Sequence, residues 1–111
     1  MTKYLVLYRA TASADEQISN ATPEEAQAGI DAWNSWGERA GSSIVDFGSP
    51  LRSVDVLGAG SSSGSANLGG FSIMEADSAS DLRTLLEGHP HLMLDGAAIE
   101  VYEFLDLPGM S

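Results

Sequence analysis

The chain has 111 residues, 16 Asp plus Glu against 5 Lys plus Arg for a net charge of −11, and no cysteine, which describes one acidic domain able to bury a modest core. That charge repels phosphate backbones and anionic headgroups, and the few bases form no cluster, so neither nucleic acid nor a membrane surface is an expected partner. Without cysteine there is no disulfide frame, no thiolate nucleophile and no zinc site with sulfur ligands.

The apolar run near Met1 is too short for a signal segment and reads as a strand, Lys3 to Arg9, of a cytoplasmic protein. Alternation puts Tyr4, Val6 and Tyr8 on one face and Leu5 and Leu7 on the other, so both faces ask for cover. After a small, polar stretch from Ala10 to Ala21, Thr22-Pro23-Glu24-Glu25 combines an N-cap hydroxyl, Pro at the first helical position and a Glu placed to complete a capping box. The helix it opens lines up Ala26, Ile30, Trp33, Gly37 and Ala40 on one side, with Trp36 widening the stripe, and Gly41 ends it.

Ile44 to Gly48 forms a second strand, with a bulge or bend expected at Pro50 before Leu51 to Leu57 resumes an extended pattern. Gly58 to Asn67 holds only Gly, Ala, Ser and Asn and reads as a mobile hairpin loop. A third strand follows from Phe71 to Ala76, with Phe71 and Ile73 on one face and Ser72, Met74 and Ala76 on the other. Ser78 to Asp81 caps a second helix carrying Leu82, Leu85 and Leu86 up to Gly88, and Ala98 to Leu105 supplies a fourth strand.

Strand, helix, strand, strand, helix, strand is a single ferredoxin-like α+β domain spanning residues 1–111, an antiparallel four-stranded sheet with two helices on one face. The opposite face, apolar on the first strand, is expected to meet a second copy in a homodimer.

Several residues could carry chemistry, each with a plainer structural alternative. His89 and His91 flank Pro90 and are the best acid/base equipment present, although His89 also suits a helix C-terminal cap. As metal ligands the two would need a third from Asp46, Glu75 or Asp95, and nothing in the spacing brings one near, so neither metal nor cofactor is expected. Trp33 and Trp36 either wall a pocket for a planar ligand or fill the core, Trp33 fitting the core better and Trp36, the ligand-binding candidate, fitting either. Tyr8 offers a phenol to a ligand or buries its ring and wets its hydroxyl, and Asp46 either faces water or, set in an apolar strand that raises its pKa, contacts the ligand as a general base. Arg9 and Arg52 either grip an anion or pair with surface acids. The glycine-rich stretch lacks the Lys of a phosphate loop, and Gly60 to Gly64 is off by one from a nucleophile elbow.

Taken together, Trp33-x-x-Trp36, Val45-Asp46-x-Gly48-x-Pro50-Leu51, Gly70-Phe71-Ser72-Ile73-Met74-Glu75-Ala76-Asp77-Ser78, His89-Pro90-His91-Leu92 and Ile99-Glu100-Val101 resemble the YciI-like (YCII-related) family from Lys3 to about Phe104. The resemblance implies a dimeric α/β barrel, in which two ferredoxin-like subunits pack sheet against sheet. Members are mostly of unassigned activity, and the prototype is associated with a His and Asp pair. Here Ile30 to Trp33 holds no histidine where the family His would fall, and His89 stands where the prototype has Asp. The Asp-Gly-Pro-Phe signature of another branch is also missing. The expectation is therefore a homodimeric small-molecule-binding protein without a complete catalytic dyad, with a pocket between the first helix and His89 to Leu92. The alternative is an isomerase- or lyase-type enzyme using His89 and His91 as general acid and base.

Overall fold

A computed structural model describes residues 1–11, 17, 20–55, 57–58, 68–94 and 96–108. Within them the chain runs β1 (Thr2–Arg9), α1 (Pro23–Ala40), β2 (Ile44–Pro50), β3 (Leu68–Ala76), α2 (Ala79–Leu86) and β4 (Ala98–Glu103), with short 3-10 turns at Gly41–Ser43 and Pro90–Met93. The strands form one antiparallel sheet in the order β2-β3-β1-β4, which with the two helices is the ferredoxin-like plan. The expected Gly58 to Asn67 loop falls almost entirely outside the described residues.

The helix starts follow from their caps. Thr22 Oγ1 accepts from the Glu25 N–H at 3.1 Å while the Glu25 carboxylate accepts from the Thr22 N–H at 3.0 Å, a complete capping box, and Ser78 Oγ accepts from the Asp81 N–H at 3.1 Å. Tyr4, Val6 and Tyr8 of β1 and Met74 and Ala76 of β3 meet Trp36, Ala40, Leu82 and Leu86, so both helices lie on the same sheet face. The helical stripe differs from its sequence reading. Ile30 is 56% exposed and Ala26 exposed too, whereas Trp36 and Ala40 are buried, because only the C-terminal half of α1 packs against the sheet. Periodicity shows which side of a helix is apolar but not how far the contact extends.

On the opposite face Leu7 sits across from Phe71, and Leu5 lies between Ile73 and Tyr102. Leu5, Leu7, Phe71 and Ile73 stay half-buried, and Tyr102 exposed, in the single chain. Among the described residues no helix is long and apolar enough to cross a membrane.

The irregularity expected at Pro50 lies earlier. Pro50 still pairs with Gly70 and Leu51 donates to Gly69 O at 3.0 Å, while the register slips between Ile44 and Asp46 and again between Asp46 and Ser49. Asp46 Oδ1 accepts from the Gly48 N–H at 2.8 Å, and Gly48 takes a φ of +86°, so a local side-chain turn, not the proline ring, bends the strand. Leu51 to Asp55 forms no regular element. A Cβ at Gly48 would collide with Phe71 O as well as strain the backbone. Gly48→Ala is therefore expected to cost at least about 2 kcal/mol in urea unfolding, where an exposed-loop glycine exchange would cost a few tenths.

Candidate functional site

The end of β1, the C-terminal half of α1 and the segment after α2 converge on one aromatic cluster. Tyr8, 2% exposed, closes the sheet side through alternation along β1, and Trp33 and Trp36 reach it from α1. Gly88 takes a φ of +75°, a left-handed step that turns the chain out of α2 and sends His89 inward. His89 is fully buried, its ring centroid 4.3 Å from that of Trp36, 4.5 Å from Trp33 and 5.1 Å from Tyr8. Phe47 of β2 completes the cluster, 6.3 Å from both tryptophans.

Hydrogen bonds fix the protons. Ser72 Oγ donates to Phe47 O at 2.6 Å, which uses the only hydroxyl hydrogen it has, so the Tyr8 phenol donates to Ser72 Oγ at 2.8 Å. Burial pushes the Tyr8 pKa up to about 12, the Ser72 hydrogen bond offsetting part of the shift. The Tyr8 hydroxyl thus serves the interior, while its ring forms a wall of the cluster. Trp36 is 3% exposed, its Nε1 donating to Leu85 O at 2.9 Å, and Trp33 is the half-buried one of the pair.

His89 caps, though not the helix end expected from its position. Its Nδ1 accepts from the His91 N–H at 2.9 Å and so caps the 3-10 turn Pro90–Met93, while the α2 end is served by Arg39, which donates to Glu87 O at 3.2 Å. With Nδ1 accepting, the proton of the neutral ring sits on Nε2, and this buried N–H has no hydrogen-bond partner. Burial, then the neighbouring His91 and Arg39, pull the His89 pKa down to about 4, so the ring is neutral near pH 7. His91 is 6% exposed, and its Nε2 donates to Arg9 O at 2.7 Å.

The other sequence candidates lie elsewhere. Asp46 is exposed on β2 with its carboxylate engaged by Gly48, and Glu75 faces the opposite side of the sheet, in register with Lys3. Arg9 forms an ion pair with Glu100, Arg52 is exposed, and Asp95 lies outside the described residues. Among the described residues no three His, Asp or Glu side chains gather as metal ligands would. Beside the cluster a groove of about 270 Å³ opens between α1 and the 88–93 segment, lined by Ala32, Ser35, Trp36, Arg39, Pro90 and Met93. Sequence reasoning missed Ser72, Phe47 and Arg39. Only Ser72 carried a signal, a polar residue on the same strand face as Met74 and Ala76.

No family model matches the chain, and no curated protein does. A solved structure of 5-chloro-2-hydroxyhydroquinone dehydrochlorinase (TftG) from Burkholderia phenoliruptrix, in complex with 2,5-dihydroxybenzoquinone, is similar over 98% of this chain and 99% of that one, with a TM-score of 0.57 and 20% identity. At that identity the likeness is one of fold: one antiparallel four-stranded sheet with two helices in the ferredoxin-like order.

The sign of the His89 shift gives a pH dependence. Below about pH 6.5 the unfolded imidazole takes up a proton that the folded ring refuses until about pH 4, so stability present at neutral pH drains away across that window. Asn at this position keeps an acceptor for the His91 N–H but does not titrate. Between pH 7 and pH 4.5 the parent should lose on the order of 1–2 kcal/mol more in urea unfolding than His89→Asn, and parallel losses would remove the assignment.

Proposed function

We propose that the chain is a YciI-like small-molecule-binding protein that acts as a homodimer without a complete catalytic dyad, and that its ligand engages the cluster around His89. One observation carries this reading: the His89 Nε2–H is fixed as a donor, sealed among three aromatic rings, and has no acceptor. Leaving a buried donor unpaired costs about 1–3 kcal/mol, a cost recovered when a planar ligand bearing a carbonyl or phenolate oxygen displaces the half-buried Trp33 ring and accepts from it. The quinone held by the dehydrochlorinase of similar fold is a ligand of that class.

Binding is favoured over turnover because an imidazole that takes a proton only near pH 4 is a poor general base at neutral pH. The dehydrochlorinase activity of the similar structure supports a second reading, an isomerase- or lyase-type enzyme. In it the neutral His89 polarises a substrate carbonyl, and His91 moves the proton.

Both tryptophans of the chain stand in the cluster, so intrinsic fluorescence reports on it directly. Titration with 2,5-dihydroxybenzoquinone, corrected for its absorbance, should quench the emission at micromolar to millimolar concentration, and His89→Phe should weaken binding about tenfold. Equal affinity in parent and variant would sink the assignment of His89, and consumption of the quinone by the parent but not by His91→Ala would favour the enzyme.

The homodimer rests on the apolar sheet face, where Leu5, Leu7, Phe71, Ile73 and Tyr102 would meet their copies. Two subunits of charge −11 repel each other, and salt screens that repulsion. Light scattering should give about twice 11.6 kDa, with a dissociation constant that falls as NaCl rises. A monomer at 100 micromolar protein in 0.5 M NaCl would overturn the assembly, as would survival of the dimer in Leu7→Lys.

A further inference from the structure

We propose that the groove between α1 and the 88–93 segment is a seat for a small planar anion, with Arg39 as the residue that selects the charge. This deepens the small-molecule reading above and rests on it. No carboxylate lines the groove, although the chain carries 16 acids against 5 bases. Among the described residues Arg39 has no carboxylate partner. Its hydrogen bond goes from one terminal nitrogen to the neutral Glu87 carbonyl, which leaves the rest of a five-donor fork for an anion.

The remaining walls suit a ring. Trp36 borders the groove with only a small part of its ring exposed and also packs against His89, so a ligand seated there lies next to the residue that encloses the orphan imidazole. Pro90 and Met93 add apolar surface, and the Ser35 hydroxyl is available to a second oxygen. At about 270 Å³ the space takes a single substituted ring. In a molecule of charge −11, a guanidinium against an apolar wall is a local exception to a field that turns anions away. The ligand class is a monoanionic aromatic carboxylate or an acidic phenol.

Benzoate and benzamide test this, being alike in shape and different in charge. Tryptophan fluorescence should show benzoate binding about tenfold tighter than benzamide at low salt, with the preference shrinking as NaCl rises. In Arg39→Gln, whose amide can still donate to Glu87 O, benzoate should fall to the benzamide level, while Arg39→Lys should keep part of the preference. Equal affinity of the parent for the two probes, or an undiminished preference in Arg39→Gln, overturns the role of Arg39 while the small-molecule reading stands. Absence of quenching by either probe and by the quinone overturns both. Should Arg39→Gln fail to fold, the parent's own ratio of the two affinities and its salt dependence decide the matter.

Discussion

An imidazole can be enclosed by Tyr8, Trp33 and Trp36 only while it is uncharged, and most of the local architecture follows from that constraint. The His91 backbone N–H occupies the one nitrogen that would otherwise accept a proton from water, and burial opposes charge on the ring. Gly88 provides the backbone step that brings the ring inward. The Tyr8–Ser72–Phe47 chain satisfies the polar atoms on the sheet side of the same cluster, so Nε2 of His89 is the buried side-chain polar atom left without a partner among the described residues. In the proposed reading, this one unpaired donor is what a ligand would recognise.

Geometry also separates the roles of the two histidines. His89 is a donor in a fixed tautomer and His91 is tied to the Arg9 carbonyl, so two rings close in sequence stand in different hydrogen-bond environments. Arg39 links the parts, supporting the end of α2 at Glu87, bordering the groove and discouraging charge on His89. A single cation with several neighbours of this kind ties the integrity of the helix end to the electrostatics of the site.

The fold was legible because local signals agreed with one another. Thr22, Pro23 and Glu25 mark a helix start by hydrogen-bond chemistry that needs no tertiary partner, and the alternation of Tyr4, Val6 and Tyr8 marks a strand face. The site was legible only in outline. His89, His91, Tyr8 and Trp36 do converge, but which tryptophan is more deeply buried depends on how far α1 overlaps the sheet, a tertiary fact that periodicity does not carry. Asp46 stood out as an acid in an apolar strand, and what periodicity does not show is that it is exposed there and accepts from the Gly48 N–H through one oxygen. Arg39 gave no signal because its partner, Glu87 O, belongs to the backbone of a distant helix.

The two outer strands of the sheet differ in one respect. On β2 the slips around Asp46 and Gly48 interrupt the ladder and spoil the edge as a template, whereas β4 pairs in unbroken register from Ala98 to Glu103. Among the described residues no strand pairs with its outer edge, and the exposed Glu103 sets a charge beside Val101 and Tyr102, while Glu100 is taken up by Arg9. Of the two edges, β4 thus keeps the straighter backbone, and a strand added to this sheet by a neighbouring chain would find its register there.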